Sequence, residues 1–444
     1  MSAGVCGGSW PEIEAFCTVD FNQTAYHRWD KMRVVLVSCV FPPEPLTSAF
    51  TSHSLALELA RRGHEVIVIT SYPSRPEGRI FAGFQRRLFP HHEIEDGVEI
   101  VRCFSMVSRT PTLFSRFAEN LSFGISSGLA IARVRRLDAI YANTWPILAA
   151  GIASCVARVK GVPIVLSIQD VYPESLITLK KLSPGTLFAQ LLNCLDASIA
   201  RAASAVVVIS DSAKEIYERG RKISTQNIHC IANWRSPENQ PTVEMAQRQR
   251  EMLGIEPGVF LIIFAGNVAA ACGIEDVISA VSRLGDEPPA RLVIAGSGSA
   301  LESCRRVASL HQSRRVHFNG PFQASEALAI LGAGDILVLP TQGDQSLVSM
   351  PSKLISYMMS GRPILAIARG KSDLASVVTR AGCGWVIEPG DSEALTYQLG
   401  AASAMERVEL TRMGSLGREY ALAHFSTEVS LPKLATVVER AGGG

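Results

Sequence analysis

The sequence predicts an α/β protein built from two doubly wound, largely parallel sheets, one in each half of the chain, facing one another across a ligand-binding cleft. Three observations carry this reading. Short, almost wholly apolar runs recur along the chain, as strands covered on both faces require. Helix-length segments separate most of them, which makes the connections crossovers and the pairing parallel. A polar joint interrupts the pattern near the middle, after which it begins again.

In the first half, residues 33–40 (RVVLVSCV) form a nearly continuous Val/Leu strand. Residues 51–62 have helical period, and Gly63 stands where a glycine past the last turn stops a helix. EVIVITS at 65–71 is the second strand. Further apolar strands are expected at 98–101, 139–142, 164–168 and 205–209. From Asn233 to Pro257 the chain is polar, carries three prolines and reads as a linker with one exposed helix. The second series has strands at 259–264, 291–295, 316–318, 336–339, 363–367 and 384–387. Its helices are expected at 274–284, 300–310, 325–331, 353–360 and 372–380. The joint and irregular loops favour two open sheets over one closed barrel.

A chain of 444 residues has room for two or three cores. Its 47% apolar and 19% charged residues exclude a disordered protein, and a formal charge of +2 disfavours a dedicated nucleic-acid binder. Ten scattered cysteines, with no Cys-x-x-Cys, read as small hydrophobes in a reducing compartment, not as a metal or disulfide framework. The nine histidines form no catalytic set; His91 and His92, in the basic loop RRLFPHH, read as surface. Residues 1–31 lack an apolar signal core and read as a poorly packed extension, or an artefact of start-site choice. The uncharged run at 139–157 is broken by Asn143, Pro146 and Gly151 and is not a spanning helix.

In doubly wound sheets ligands bind beyond the carboxyl ends of the strands, and the unusual loops here follow strands. Ala265–Gly266–Asn267 and the small residues up to Gly273 allow backbone N–H groups to approach an anion, although a tight β–α turn uses the same residues. Gly296-Ser297-Gly298 lacks the third glycine of a dinucleotide fingerprint, because Leu301 stands there, and Asn319 replaces the acidic residue expected after the next strand. A nicotinamide-cofactor reading therefore fails, and Gly296 and Gly298 read as shaping a loop beside a nucleotide. At Met350-Pro351-Ser352-Lys353, a proline suited to a first helical turn precedes a lysine whose charge opposes the helix dipole. A bound anion resolves that misfit; the alternative is a lysine on a solvated surface. Asp170 and Glu174 follow an apolar strand; they suit sugar hydroxyls or proton uptake, or equally the capping of a helix.

Taken in order, FPPEP, DAIYANTW, IVLSIQDVYPES, FAGNV, LVIAGSGSALE, DILVLP and MPSKLISYMMSGRPILA resemble the GT-B glycosyltransferases of family 4, over about residues 32–425. Within that family they are most similar to bacterial colanic acid and O-antigen fucosyl- and N-acetylfucosaminyltransferases. The resemblance implies two Rossmann-like domains: an acceptor-side domain at 32–235 completed by a C-terminal helix at 426–444, and a nucleotide-sugar domain at 236–425. It implies retaining transfer from a nucleoside-diphosphate sugar to a lipid-linked or saccharide acceptor, without a metal or other cofactor. Lys353, Asp170 and Glu174 would be catalytic. Gly266, Asn267, Gly296, Gly298, Ser352 and Ser356 would bind the donor. A cytoplasmic place at the inner face of the cell membrane follows, and the segment 113–136, mixing Phe114, Phe117, Leu121 and Phe123 with Arg133, Arg135 and Arg136, suits peripheral lipid contact or an ordinary amphipathic core helix.

Three positions depart from the family pattern. Ser356 stands where a glutamate usually binds donor hydroxyls, and a serine offers no bidentate acceptor. Thr47, Ser48 and Ala49 replace flexible glycines, and Ala269 and Cys272 alter the loop after Asn267. Two other readings stay open on these grounds: a catalytically degenerate relative that binds a nucleotide sugar or a partner, and a sugar-nucleotide epimerase on the same fold.

Overall fold

The computed structural model describes residues 30–75, 77–109, 112–237 and 240–443, so the expected extension at 1–31 lies outside them except for its last two residues. The first sheet contains β1 (Arg33–Val37), β2 (Glu65–Ser71), β3 (His91–Glu95), β4 (Val98–Cys103), β5 (Ala139–Asn143), β6 (Ile164–Ile168), β7 (Ala205–Val208) and β8 (Ile228–Cys230). Their order is β3-β4-β2-β1-β5-β6-β7-β8, parallel except for the antiparallel edge pair β3–β4. The central strands are buried on both faces, as runs such as AVVV and IVLSI demand. The crossovers are α1 (Thr47–Arg61), α2 (Leu113–Arg133), α3 (Ile147–Lys160), α4 (Glu174–Thr178), α5 (Leu187–Ala202) and α6 (Asp211–Glu215). Phe123 and Ile131 of α2, Ala149 and Ala153 of α3 and Ile199 of α5 share the core on one side of the sheet.

After α7 (Val243–Met252) the second sheet runs β9 (Phe260–Ala265), β10 (Ala290–Ala295), β11 (Val316–Asn319), β12 (Ile336–Pro340), β13 (Ile364–Ile367) and β14 (Gly384–Ile387). It is wholly parallel, in the order β11-β10-β9-β12-β13-β14. Helices α8 (Ile274–Ser282), α9 (Leu301–Leu310) and α13 (Ser392–Ser403) cover one face. The other face carries α10 (Ala327–Ala333), α11 (Lys353–Met359), α12 (Asp373–Ala381) and the end of α14 (Arg407–Phe425). The chain then returns to the first sheet. Arg235 N–H donates to Phe425 O at 3.1 Å, Thr427 N–H donates to Arg235 O at 3.0 Å, and α15 (Thr427–Gly442) packs against α1 and β5. Glu439 of α15 is buried there, 2.7 Å from Arg62 and 3.0 Å from His64. Met32 N–H donates to His64 Nδ1, which leaves Nε2–H to donate to the carboxylate.

Two contacts fix how the sheets face. Thr178 Oγ1, in the connection after β6, donates to Gln345 Oε1 after β12 at 3.2 Å. Ser212 N–H, after β7, donates to Asp373 Oδ2, after β13, at 3.1 Å. All four residues follow the carboxyl ends of strands, so those edges look at each other across a cleft. The doubly wound reading therefore holds, with local corrections. The strand expected over 33–40 ends at Val37, and α1 starts at Thr47 rather than 51, so Thr47, Ser48 and Ala49 are helical. His91 and His92 open the edge strand β3 instead of lying in a loop, and His92 Nδ1 sits 2.7 Å from Glu99. Among the described residues no helix is long and apolar enough to cross a membrane.

Candidate functional site

Each sheet has a topological switch point, where successive connections leave in opposite directions and open a crevice at the carboxyl edge. In the second sheet it lies between β9 and β12, and the residues expected to meet an anion gather there. Gly266 N–H donates to Ala295 O at 2.8 Å and Val268 N–H to Ser297 O at 2.9 Å, which zips the loop after β9 to the loop after β10. This approach requires glycine. A Cβ on Gly296 (φ +138°) would fall 2.0 Å from Gly266 O, and one on Gly298 (φ +158°) 2.3 Å from Val268 O. Val268 is buried beneath the joined loops, while Asn267, Ser297 and Gly298 stay exposed.

Lys353 reaches the same point from α11. Its Nζ donates to Asn267 O at 3.1 Å, lies 3.9 Å from Cys272 Sγ and sits 4.9 Å from the centre of the Phe264 ring. A Cβ on Gly266 would fall 2.6 Å from Lys353 Cε, so the bare glycine makes room for the lysine stem. Among the described residues Lys353 has no carboxylate partner. Helix α11 begins at Lys353, where it was expected, and ends at Met359, so the lysine stands in the first turn, where its charge opposes the dipole of this short helix. The ammonium itself is held on neutral oxygen and an aromatic face, with its charge open to an anion. Ser352 immediately precedes this helix, and Ser356 lies half-buried one turn beyond Lys353.

Tyr357, which the sequence reading missed, anchors this corner. It is buried, and its hydroxyl accepts from Ala265 N–H at 2.8 Å and donates to Ala265 O at 3.0 Å. It fixes the last residue of β9 against α11. A tyrosine four residues after the lysine, in an otherwise apolar helix, was the available signal.

On the facing wall, Asp170 follows β6. It keeps partial exposure, yet protein encloses its carboxylate enough that burial raises its pKa above the ordinary range. Glu174 stands in the first turn of α4 and is already engaged: Arg221 Nη2 donates to it at 2.7 Å. The same guanidinium donates from Nε to Asp196 at 2.8 Å, and Asp196 accepts from Tyr217 Oη at 2.8 Å. Glu174 thus belongs to a structural network with Arg221, Asp196 and Tyr217, whereas Asp170 has no ion-pair partner among the described residues. At the first sheet's own switch point, Asn143 Nδ2 donates to Ser38 Oγ at 3.0 Å and Ser52 Oγ at 2.9 Å, which ties the ends of β1 and β5 to α1.

Most of the segment 113–136 is helix α2. Gly124 and Gly128 bring it close to Ile152 of α3, and Phe123 is fully buried. The opposite face is apolar as well. Phe114 is 80% exposed, Phe117 52%, Ile125 51% and Leu129 54%, with Leu121 between them, at the spacing of one helical stripe. Leu187, Phe188 and Leu191 near the start of α5 are exposed on the same side of the sheet.

Residues 48–234 match the family model described as a glycosyl transferase 4-like domain, and residues 259–403 match that of the glycosyl transferases group 1. WcaI of Escherichia coli K12, named for colanic acid biosynthesis as a glycosyl transferase, is 27% identical over 400 residues, covering 88% of this chain and 95% of its own. WbjE of Pseudomonas aeruginosa, named as a glycosyltransferase, is 25% identical over 307 residues, 69% of this chain and 76% of its own. Among solved structures, Anabaena HepE in complex with UDP and glucose superposes with a TM-score of 0.68 at 14% identity, covering 92% of this chain and 100% of HepE.

Proposed function

The chain belongs to the GT-B glycosyltransferases of family 4, and from that premise we propose that it moves a sugar, with retention of anomeric configuration, from a nucleoside diphosphate to a lipid-linked or saccharide acceptor in bacterial surface polysaccharide synthesis. The observation that carries this reading is the Lys353 ammonium set against the Gly266–Asn267 backbone at the switch point of the second sheet. Transfer breaks the bond between the anomeric carbon and the diphosphate oxygen, and the electron pair leaves with the diphosphate. A fixed cation and exposed backbone groups beside that oxygen lower the barrier, because they are in place before the charge develops. Lys353 would supply that charge without a metal ion. Gly296 and Gly298 would shape the wall next to the nucleotide, with Ser352 and Ser356 near the diphosphate and sugar. The new bond forms between the anomeric carbon and an acceptor hydroxyl oxygen. Asp170, whose raised pKa brings it nearer neutrality, would accept that hydroxyl's hydrogen bond and its proton. Structural likeness to a UDP-bound neighbour supports a nucleotide donor.

The exposed stripe of α2 supports work at the inner face of the membrane. From residue 103 to residue 137 the only acidic residue is Glu119, against Arg109, Arg116, Arg133, Arg135 and Arg136. Exposed Lys180 and Lys181 precede the apolar start of α5. Apolar side chains beside basic ones suit an anionic lipid surface. A thermal-shift screen with UDP-, GDP- and dTDP-sugars tests the donor reading: one nucleotide series should raise Tm saturably. If none does, the donor reading is wrong.

A further inference from the structure

A second cationic site lies on the other lobe, away from the Lys353 loops. The connection after β2, that after β4 and the first turn of α2 enclose a cavity lined by Ser74, Arg75, Arg109, Arg116 and Glu119. Among the described residues that line it Glu119 is the one carboxylate, buried and shared: Arg75 Nη2 donates to one oxygen, and Arg116 Nη1 to the other at 3.2 Å. Arg109 has no carboxylate partner among the described residues. Three guanidiniums thus line the cavity with one carboxylate, while the buried Glu44 lies behind it and accepts from the Ser74 and Arg75 N–H groups at 2.9 Å. A salt bridge that merely pinned α2 would need one arginine; the remaining positive charge and unused N–H donors make a receptor for an oxyanion. Arg75 is also held in place, its guanidinium stacked 4.4 Å from the centre of the Trp145 ring.

Position adds chemistry. Arg75 stacks on Trp145, which follows β5, and β5 pairs with β6, the strand that leads to Asp170, so the cavity lies toward the carboxyl edge of the first sheet. Arg116 lies between Phe114 and Phe117 of the exposed apolar stripe on α2, so an anionic group in the cavity would have an apolar path leading away from it.

We infer that this cavity is a phosphate subsite, which holds the phosphate or diphosphate that joins the acceptor sugar to its lipid. The assignment of the phosphate to the acceptor rests on the transfer reading above; the site itself rests on the three arginines. The guanidiniums would fix the linker while the sugar hydroxyl reaches Asp170, and the lipid chain would leave along α2.

Trp145 gives a local readout. Inorganic pyrophosphate, titrated at constant ionic strength, should change tryptophan emission saturably in the wild type and not in Trp145→Phe. Affinity should fall about tenfold or more in Arg109→Ala and Arg116→Gln, both exposed positions, and stay unchanged in Lys353→Met. Two results overturn the inference: no Trp145-dependent signal, or a signal lost in Lys353→Met and kept in both arginine variants, which would put pyrophosphate only in the donor loops. Vesicles of phosphatidylglycerol, with phosphatidylcholine as control, identify the source of the phosphate. Competition between phosphatidylglycerol and pyrophosphate supports the site as a membrane headgroup receptor, and indifference supports it as a receptor for the acceptor's own diphosphate. A nucleotide-sugar titration on the same variants separates the readings: failed donor binding with intact pyrophosphate binding removes the transfer reading and leaves the subsite.

Discussion

Replacing Lys353 with methionine removes the ammonium and keeps most of the aliphatic stem that lies over Gly266. What the fold loses is one charged hydrogen bond to the Asn267 carbonyl and the contact with Phe264, on a side chain that is only partly buried. Together these are worth about 2 kcal/mol at most, and no anion is left unpaired, so the variant should fold. Catalysis should lose more. Removing one preorganised donor to a developing charge costs roughly 10²–10³ in turnover, about 3–4 kcal/mol. A unit charge about 4 Å from the leaving oxygen gives a similar figure, about 4 kcal/mol at an effective dielectric near 20. The assay is steady-state release of nucleoside diphosphate, with kcat and KM separated. A fall in both kcat and kcat/KM is expected, because the interaction strengthens as the diphosphate leaves. A raised KM with unchanged kcat would refute this reasoning, since Lys353 would then bind ground and transition states alike.

Other outcomes follow from the same geometry. Burial raises the pKa of Asp170 above its unfolded value, so ionising it opposes folding at neutral pH and the penalty disappears as pH falls through the folded and then the unfolded pKa. Asp170→Asn should therefore unfold at higher Tm than wild type at pH 7, lose that advantage near pH 4 in a calorimetric pH series, and be impaired in transfer. Glu439→Ala leaves the buried His64 Nε2 without its acceptor, while Arg62 keeps its 2.7 Å pair with Glu58, and should cost about 1–3 kcal/mol in denaturant unfolding. Phe117→Asp combined with Leu121→Asp should abolish sedimentation with phosphatidylglycerol vesicles and leave the donor KM unchanged; retained sedimentation would assign lipid contact elsewhere. Ser356→Glu, measured by calorimetry, should alter donor affinity by tenfold or more if that position faces a donor hydroxyl, and leave it unchanged if it does not.

Much of the fold could be read from sequence because parallel strands are apolar throughout and their crossovers are long. The same logic hid β3: HHEIE is a polar edge strand, exposed along one side, and no apolar run announces it. Strand β8 is only three residues long. In the site, glycines at strand ends and an out-of-place lysine were visible because each breaks a local rule, and the structure brings Gly266, Asn267, Gly296, Gly298 and Lys353 together. Pairings between distant residues leave no such trace. Glu174 looked like Asp170 in sequence, and only the approach of Arg221, 47 residues on, separates a structural carboxylate from an available one. Arg75 and Glu119 are 44 residues apart, so the cavity they line was equally invisible. Helix α2 was readable as amphipathic, but its apolar residues divide between two faces, and only packing against α3 reveals which face is left uncovered.

The central claim is that a sugar leaves a nucleoside diphosphate held by the Lys353 loops and arrives on an acceptor at the facing wall. Acceptor-dependent transfer tests it most directly: purified protein, a panel of radiolabelled nucleotide sugars and a bacterial membrane extract as acceptor source, with the product's anomeric configuration read by proton NMR. The account predicts that one donor is consumed only when acceptor is present, that labelled sugar appears in the lipid or saccharide fraction with its configuration retained, and that Lys353→Met stops it. Inversion would overturn the retaining mechanism, and full activity in Lys353→Met would contradict the site.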